Sequence, residues 1–408
     1  MSVLTVPGTG GSQISVPING NFAQFLAQQL ANFAAGLPSS SITTTGSGVP
    51  APAPPPTPNE LIVTGGGGAN NADGYSFIVN NNTSPNSIGG ANTAILSGTI
   101  GGSFFVSGSS TVVAGGGNNL IVGGSGGTYE LAGGNGNDTI YTSGGGTIGG
   151  GGGANLLSAA DPTDTAANYI ISDGTGDTIV AGAGSDTLAA YGSNDLIFGG
   201  SGALIAGLGP NSTVSAGTGA ETIFGASGDL VYANNSTGIT FVGGSGGATV
   251  FGGTASVTTI FGSSGSSVTF ANSNAPGAVM AAYAGNETLS AAPSSSNNTL
   301  AGGSGADSLV GGSGNDVFFA GSSSDTLTGG TGSDLFQFIN GQAGGHDFIT
   351  DFSANDIVNL IGYGANAAAN AIAAATVSGG SSTIQLSDST KITFTDVASL
   401  STTNIHST

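Results

Sequence analysis

Short apolar runs alternate with glycine-rich polar runs along most of this chain. The pattern is clearest over residues 302–337, which divide into four blocks of nine residues: GGSGADSLV, GGSGNDVFF, AGSSSDTLT and GGTGSDLFQ. Each block has a glycine-rich half followed by a short apolar half, which predicts a tight turn and then a short strand. A nine-residue repeat of this kind is typical of a parallel β-solenoid.

Each block also has an aspartate at its sixth position, two residues before a large apolar residue: Asp307, Asp316, Asp325 and Asp334. If two blocks make one coil, Asp307 stacks on Asp325 at about 4.8 Å, and the other two pair likewise. Such a column of like charges is destabilising unless a cation lies in it. Carboxylates and glycine carbonyls form an all-oxygen site that suits Ca²⁺. We therefore predict calcium ligands at these aspartates, together with glycines of the first two blocks: Gly303, Gly305, Gly312 and Gly314. The third block departs from the pattern because it lacks glycine at its first and fourth positions.

A weaker form of the pattern occurs earlier in the chain. The block GGNGNDTIY contains Asp138, and three more aspartates recur every nine residues where the double glycine has been lost: Asp177, Asp186 and Asp195. We predict that Asp138 binds calcium and that Asp177, Asp186 and Asp195 form a second calcium-binding patch.

Beyond residue 200 the acidic residues become sparse, and aromatic residues recur at steps of about nine residues, as expected of stacked coils. They are Phe224, Tyr232, Phe241, Phe251, Phe261 and Phe270. We interpret them as an internal ladder in the core rather than a ligand-binding strip.

The apolar period changes near the N-terminal end of the sequence. Phe22, Phe25, Leu26, Leu30 and Phe33 fall on one face of a helix predicted over residues 22–35. Two interpretations remain open. The helix either packs on its own solenoid as an end cap or docks on another subunit.

The whole pattern predicts an all-β fold: a parallel β-roll or β-helix solenoid with a short N-terminal helical segment and a C-terminal cap. We divide the chain into an N-terminal segment (1–47), a proline-rich linker (48–59), a glycine-rich solenoid (60–300), a calcium-binding β-roll (301–340) and a cap (341–408). Within the cap, residues 365–375 are predicted to be helical, and residues 382–386 and 391–397 to be strands. An atypical cap is expected because a solenoid end exposes unpaired backbone.

Composition excludes several functions. The chain has 22 acidic residues and one basic residue, Lys391, for a net charge of −21, which argues against nucleic acid and anionic membranes as partners. No apolar run is long enough to span a membrane, and the first residues, MSVLTVPGTGGSQISV, lack the features of a cleaved signal peptide. Motifs for catalysis are also missing. G-x-S-x-G occurs only as GGSGG at 123–127 and 243–247, so we expect no enzyme activity.

The blocks at 302–337, with the segment DFITDFSANDIVNL that ends at residue 360, resemble the C-terminal half of repeats-in-toxin (RTX) proteins of Gram-negative bacteria. The resemblance implies that the aspartate of each nonapeptide binds Ca²⁺. It also implies that three acidic residues of the cap bind a further ion: Asp347, Asp351 and Asp356.

Membership of that family implies type I secretion by an uncleaved C-terminal signal, from a low-calcium cytosol in which the chain stays unfolded. An N-terminal assembly segment followed by a solenoid is similar to bacterial surface-layer and surface-filament proteins. We therefore expect an extracellular structural protein that self-assembles on the bacterial cell surface as an S-layer, a filament or a biofilm matrix component. Its expected partners are itself, the secretion apparatus and cell-surface polysaccharide. The alternative is a calcium-dependent adhesin that binds a glycan or a host surface. An enzyme acting on polysaccharide is less favoured.

Overall fold

The computed structural model describes residues 2–7, 13–18, 21–38, 40, 42–45, 54–55, 57–64, 72–81, 87–98, 100–163, 165–233, 236–253, 257–263, 265–271 and 277–408. The chain forms two compact units, unit 1 (Met1–Ser212) and unit 2 (Thr213–Thr408). Each unit is a parallel β-solenoid of short strands with one short helix. The predicted fold class is therefore confirmed. Neither helix in the described part of the chain has the length and apolarity needed to span a membrane.

Unit 1 begins with an antiparallel strand pair and a helix, and then alternates its strands between two parallel sheets. Its elements are β1 (Ser2–Pro7), β2 (Gln13–Ile18), α1 (Asn21–Ala34), β3 (Ile42–Thr45), β4 (Glu60–Thr64), β5 (Phe77–Asn81), β6 (Ser87–Ala91), β7 (Ala94–Ser97), β8 (Ser103–Ser107), β9 (Ser110–Val113), β10 (Leu120–Gly123), β11 (Thr128–Asn135), β12 (Thr139–Thr142), β13 (Gly145–Gly152), β14 (Leu156–Ser158), β15 (Asn168–Ser172), β16 (Thr178–Val180), β17 (Thr187–Ala190), β18 (Leu196–Phe198) and β19 (Leu204–Ala206). One sheet contains β3, β4 and the odd-numbered strands from β5 to β19, and the other contains the even-numbered strands from β6 to β18.

The core of unit 1 consists of two columns of apolar side chains, one column from each sheet. Neighbouring strands align in register, so one inward-facing residue of each strand stacks on the equivalent residue of the next. The odd-numbered sheet contributes Leu61, Ile78, Ile95, Val112, Leu131, Ile148, Ile170, Leu188 and Ile205. The even-numbered sheet contributes Ile88, Phe104, Ile121, Ile140, Leu157, Ile179 and Ile197. All of these side chains are fully buried.

Helix α1 lies on the outer face of the odd-numbered sheet of unit 1. At one end Phe22 lies against Gly149 on β13, and at the other the ring of Phe33 meets Phe77 on β5 edge to face at 6.2 Å. A helix of 14 residues is about 21 Å long, which matches the width of the five strands from β5 to β13 at roughly 4.8 Å each. The helix therefore crosses the strands along the stacking direction.

The predicted helix is confirmed, but its buried face differs from the predicted one. The residues that pack on the sheet are Ala23, Leu26, Ala27, Leu30, Ala31 and Ala34, whereas Phe25 is 61% exposed and Phe33 is 42% exposed. Alanines form most of the contact because a small side chain lets the helix approach a flat β-surface closely. The helix packs on its own solenoid, as one of the two interpretations expected, but on its flank rather than its end.

Unit 2 repeats the same alternation. Its elements are β20 (Thr213–Ser215), β21 (Ala220–Phe224), β22 (Asp229–Tyr232), β23 (Gly238–Val242), β24 (Gly247–Phe251), β25 (Val257–Phe261), β26 (Ser267–Ala271), β27 (Ala278–Ala281), β28 (Thr288–Ser290), β29 (Thr299–Ala301), β30 (Ser308–Gly312), β31 (Val317–Phe319), β32 (Thr326–Gly330), β33 (Leu335–Ile339), β34 (His346–Ile349), β35 (Ile357–Ile361), α2 (Ala367–Ala373), β36 (Thr376–Ser378), β37 (Ser381–Gln385), β38 (Lys391–Phe394) and β39 (Ile405–Ser407).

The aromatic residues of unit 2 do not form the single internal ladder that their spacing predicts. Phe241 and Phe270 are fully buried, but Phe224 and Phe261 are 44% and 43% exposed, and the half-buried Tyr232 and Phe251 stack on each other at 4.8 Å on the outer face. The reason is strand parity. Side chains alternate between faces, so a repeat that changes by one residue moves the aromatic ring to the other face.

The C-terminal end of unit 2 closes the solenoid with atypical elements. Strand β38 pairs in parallel with β34, and β39 pairs in parallel with β35, so both sheets gain a last strand. Strands β38, β37 and β36 then continue as an antiparallel meander, with α2 beside β37 and β39. The predicted helix and strands of the cap are confirmed. Most of the predicted proline-rich linker, by contrast, lies outside the described residues.

The packing of α1 predicts unequal effects for two adjacent residues. Leu26→Ala removes a buried side chain and should destabilise unit 1 by about 2–4 kcal/mol. Phe25→Ala, the matched control, should change the free energy of unfolding by less than about 0.5 kcal/mol. Urea unfolding in calcium, combined with hydrogen exchange of the helix amides, measures both. Equal effects of the two substitutions would contradict this packing.

Candidate calcium-binding ladders

The glycine-rich half of each repeat forms the corner of a coil, and the acidic residue lies where the next strand begins. In the repeats of unit 2, Asp307 precedes β30 and Asp316 precedes β31. Gly312 and Gly330, at the second position of two repeats, have φ values of +125° and +96°, which a residue with a Cβ rarely adopts. The turns therefore hold the acidic side chains at fixed positions on the two edges of the solenoid.

The acidic residues of unit 2 form two ladders, each one residue per coil. Ladder A contains Glu287, Asp307, Asp325 and Asp347, and ladder B contains Asn298, Asp316, Asp334 and Asp356. The backbone N–H of Asp307 donates to Oδ1 of Asp325 at 2.8 Å, and that of Asp316 donates to Oδ1 of Asp334 at 2.8 Å. The predicted stacking of these aspartates is thus confirmed. Every carboxylate in these ladders lies within a coil spacing of the next.

Several carboxylates use only one of their two oxygens within the chain. Asp316, Asp334 and Asp347 are at most 1% exposed, and their Oδ2 atoms have no hydrogen-bond partner in the described structure. A buried oxygen without a partner costs free energy, and more so when it is charged. These oxygens therefore need a cation or a proton.

The space beside these oxygens exists only because glycine stands at the first position of the repeat. A Cβ at Gly311 would lie 2.3 Å from Oδ2 of Asp316 and 2.6 Å from the carbonyl oxygen of Gly329. A Cβ at Gly329 would likewise lie 2.4 Å from Oδ2 of Asp334. At Gly311 a carboxylate oxygen and a carbonyl oxygen thus face the same space, which is the oxygen-rich surrounding that Ca²⁺ prefers.

The ligand glycines predicted from the sequence also lie close to carbonyl oxygens of the preceding coil. A Cβ at Gly303 would lie 2.4 Å from the carbonyl oxygen of Tyr283, and one at Gly314 would lie 2.3 Å from that of Ser296. Gly305 and Gly312 show the same close approach. Their role as calcium ligands stays a prediction, but the coils could not stack this closely with larger residues.

The other aspartates of ladder A are held differently. Oδ2 of Asp325 accepts the N–H of Gly321 at 3.0 Å, and Oδ2 of Asp307 accepts that of Gly303 at 3.2 Å. Both carboxylates therefore have partners on both oxygens. Ladder A is less dependent on an ion at these two aspartates than ladder B is at Asp316 and Asp334.

Unit 1 contains a similar ladder, which includes asparagines as well as aspartates. It runs through Asn119, Asp138, Asn155, Asp177 and Asp195. Oδ2 is buried without a partner in Asp138 and Asp195, whereas in Asp177 it accepts the hydroxyl of Ser172. Asp186 lies on the opposite edge, where it accepts hydrogen bonds from Asn168 and Gly182. The second predicted patch is therefore divided between two edges, and Asp138 and Asp195 have the free oxygens.

The acidic residues of the cap take three different roles. Asp351 accepts the N–H of Gly329 at 2.9 Å and that of Gly330 at 2.7 Å. Asp356 accepts from Asp334 and from Ser353. Only Asp347 keeps a buried free oxygen, so Asp351 and Asp356 primarily fix backbone amides. A further ion at the cap stays a prediction.

Three buried acidic residues at the same coil position were missed by the sequence argument: Glu221, Asp229 and Glu287. Asp229 follows glycine in GASGD, and the two glutamates occupy the sixth position in AGTGAE and AYAGNE. Both carboxylate oxygens of Glu287 and one of Glu221 have no partner in the described structure. A search for any carboxylate that follows a glycine-containing turn and lies two residues before an apolar residue would have found all three.

Burial raises the pKa of most ladder carboxylates. The pKa rises to about 6 for Asp138, Asp195, Asp325 and Asp334 and to about 8 for Asp347, in each case chiefly because burial disfavours the charged form. The same cause raises the pKa of Glu60, Glu221 and Glu287 to about 7. Without a cation, these carboxyl groups in the folded chain therefore take up protons at a higher pH than exposed carboxyl groups do.

The donor set fits Ca²⁺ if backbone carbonyls complete it. No three carboxylate or imidazole side chains converge on a common point within the described residues, so side chains alone do not form a cage. Carboxylate Oδ2 atoms and glycine-loop carbonyls are hard oxygen ligands in a flexible arrangement, which favours Ca²⁺ over Zn²⁺. A bound ion would supply the positive charge that the ladders lack.

Comparison with known proteins supports this interpretation. The family model for the RTX calcium-binding nonapeptide repeat matches four segments, residues 106–127, 171–203, 294–327 and 301–336. Together with the solenoid fold and the acidic ladders, these matches show that the chain contains RTX calcium-binding nonapeptide repeats within a parallel β-solenoid. The repeat that contains Asp138 lies outside the matched segments.

No curated protein matches the chain. Among solved structures, the chain is similar to the extracellular lipase LipA from Serratia marcescens, with 16% identity and a TM-score of 0.25. The match covers 55% of this chain and 45% of the lipase chain, so it spans less than half of that enzyme. At that TM-score the likeness bears on neither the fold nor the activity of this chain.

Asp316→Asn should change stability in opposite directions with and without calcium. In calcium-free buffer the substitution removes a buried charge that has no partner and should stabilise the fold. In saturating calcium it removes an ion ligand and should destabilise the fold by roughly 1–3 kcal/mol. The exposed Asp396→Asn is the matched control and should have little effect in either buffer. Thermal unfolding followed by circular dichroism measures all four cases, and the same sign in both buffers would contradict the site.

The raised pKa values predict how the calcium-free protein responds to pH. A carboxyl whose pKa is higher in the folded chain than in the unfolded chain stabilises the fold below about pH 4, and this contribution is lost as the pH rises through 6 to 8. The melting temperature of calcium-free protein should therefore fall between pH 4.5 and pH 8. Saturating calcium should reverse the trend because the ion competes with protons. A calcium-free melting temperature that rises with pH would contradict these shifts.

Proposed function

We propose that this protein is a secreted structural protein that Ca²⁺ folds outside the cell and that then self-assembles on the bacterial cell surface. One observation carries the proposal. Of the 22 acidic residues in the sequence, 14 are buried in the described part of the folded chain, and the only basic residue, Lys391, is exposed. The buried acidic residues are Glu60, Asp138, Asp177, Asp186, Asp195, Glu221, Asp229, Glu287, Asp307, Asp316, Asp325, Asp334, Asp347 and Asp356.

The dependence of folding on calcium follows from this distribution of charge. At low calcium the buried carboxylates must lose their hydration and repel one another, or take up protons, so folding is opposed. Calcium that binds the folded chain and not the unfolded chain stabilises the fold by mass action. A chain that stays unfolded in the cytosol suits export through the type I apparatus that the family implies, with residues 341–408 as the proposed signal-bearing segment.

The outer surface of unit 2 offers a face for self-association. Over the odd-numbered strands from β21 to β35, the outward positions form two aligned columns without any charged residue. One column begins Thr222, Thr240, Thr259 and Val279, and the other begins Phe224, Val242 and Phe261. Because each chain has a net charge of −21, two copies approach most easily through a face that has no charge. Exposed apolar side chains on that face favour contact with a second copy.

We propose a structural rather than a catalytic role. The two G-x-S-x-G matches place Ser125 between β10 and β11 and Ser245 between β23 and β24. A nucleophile elbow requires a strand on one side of the serine and a helix on the other. Both serines instead lie at corners of the solenoid, between two strands.

The test is assembly of the purified full chain with and without calcium. Sedimentation velocity and negative-stain electron microscopy should show unassembled chain in chelator and ordered layers or filaments in millimolar Ca²⁺. Phe261→Glu should prevent assembly without changing calcium-induced folding, because it adds a charge to the uncharged face. Thr218→Glu adds the same charge at an exposed corner of unit 2 and should assemble normally.

Two outcomes would overturn the proposal. One is a chain that folds in calcium but stays monomeric at every concentration. The other is a Phe261→Glu variant that assembles as well as the Thr218→Glu control, which would exclude the outer face of unit 2.

A further inference from the structure

The C-terminal cap of unit 2 contains a cleft that takes no part in the acidic ladders. The cap cleft has a volume of about 430 Å³ and lies between helix α2 and the end of strand β37. Its walls include Tyr363, Asn366, Asn370 and Ala371 on the helix side, and Gln385 and Leu386 on the strand side. The volume lies within the range of small-molecule sites, roughly 300–1,000 Å³.

Hydrogen bonds hold the two walls of the cap cleft in place. The hydroxyl of Tyr363 donates to Oδ2 of Asp388 at 2.5 Å, which joins the helix side to the turn after β37. That turn is closed by the N–H of Leu386, which donates to the carbonyl of Thr390 at 2.9 Å. On the helix side, the N–H of Ala368 donates to Oγ of Ser407 at 3.1 Å. The cleft is therefore formed before any ligand binds.

Three amide side chains line the cap cleft with unused hydrogen-bonding capacity. Asn366 and Asn370 lie one helical turn apart, and Gln385 faces them from the strand. All three side chains are exposed to solvent, and none of them makes a hydrogen bond to another residue in the described part of the chain. Each amide offers donors and an acceptor together, so the natural partner is a group that both donates and accepts, such as a hydroxyl.

The rest of the lining sets further limits on the ligand. None of the lining residues is charged, and the nearest carboxylate, Asp388, disfavours an anion. Ala371 and Leu386 are buried and give the cleft an apolar surface beside the amides. An extended peptide would need a free strand edge, but β37 is already paired on both sides, with β36 and β38.

We propose that the cap cleft binds one or two sugar residues of an uncharged polysaccharide. Such a ligand presents hydroxyls to the three amides and the C–H face of its ring to the apolar wall. The cleft is open to solvent, so the remaining sugar chain can extend away from the protein. A cell-surface or matrix polysaccharide held there would anchor the folded protein, and this binding does not depend on self-assembly.

The proposal is tested with the calcium-loaded full chain and defined trisaccharides. Isothermal titration calorimetry and saturation-transfer NMR should detect at least one of the neutral probes maltotriose, mannotriose and chitotriose, and no binding of trigalacturonic acid. Asn370→Ala and Gln385→Ala should each weaken binding by about tenfold, as expected for the loss of one hydrogen bond. Asn355→Ala, an exposed amide of unit 2 outside the cleft, is the matched control and should bind like the parent.

Three results would overturn the proposal: no neutral probe binding at 10 mM, equal binding of trigalacturonic acid, or unchanged binding by both cleft variants. Unfolding curves in calcium show whether each variant is folded. The Phe261→Glu variant should bind the neutral probe as the parent does. A failure of self-assembly would therefore be distinguishable from a failure of sugar binding.

Discussion

The stacking distance of the coils is the constraint on which the other features depend. Parallel β-pairing places equivalent residues of successive coils about 4.8 Å apart, and in this chain the position at the start of each strand is repeatedly acidic. Backbone N–H groups hold one oxygen of each ladder aspartate, as between Asp316 and Asp334. In Asp316 and Asp334 the second oxygen has no partner and faces the space beside a glycine. Repulsion and desolvation in the ladders are therefore consequences of the backbone geometry itself, and no side-chain rearrangement relieves them while the coils stay stacked.

The scarcity of basic residues has a physical meaning in this setting. An arginine or lysine beside a ladder would pair with the carboxylates and would let the solenoid fold without calcium. The only basic residue, Lys391, is instead exposed at the cap. Neutralisation is thus left to ions and protons from solution. The raised pKa values of Glu221 and Asp347 show how strongly burial opposes their charged forms. Calcium is the neutraliser that also acts at neutral pH.

The spacing of residues in the sequence predicted the features that depend only on the number of residues per coil. It missed the features that depend on the surface against which a side chain packs. The nine-residue interval places Asp307 on Asp325 because two repeats make one coil. The burial of the aromatic residues was harder to predict, because a change of one residue in the length of a repeat moves a ring such as that of Phe261 to the outer face. The face of α1 could not be read from apolar size alone, because a flat β-surface accepts alanines more closely than Phe25. Glu287 was missed for another reason. The sequence argument considered only aspartates, whereas the position in the coil is what places a carboxylate in a ladder.

Folding also changes what the outside of the protein presents. The unfolded chain exposes all of its acidic residues, but 14 of the 22 are buried in the described part of the folded chain, so more than half of the acidic groups leave the surface. The outward columns of unit 2, which include Thr240 and Phe261, carry no charge. In the proposed function, calcium therefore acts twice through one event. By neutralising the ladders it allows the coils to stack, and by moving the acids inside it removes the repulsion that would keep two chains apart. Folding and association are for this reason expected to respond to the same calcium concentration.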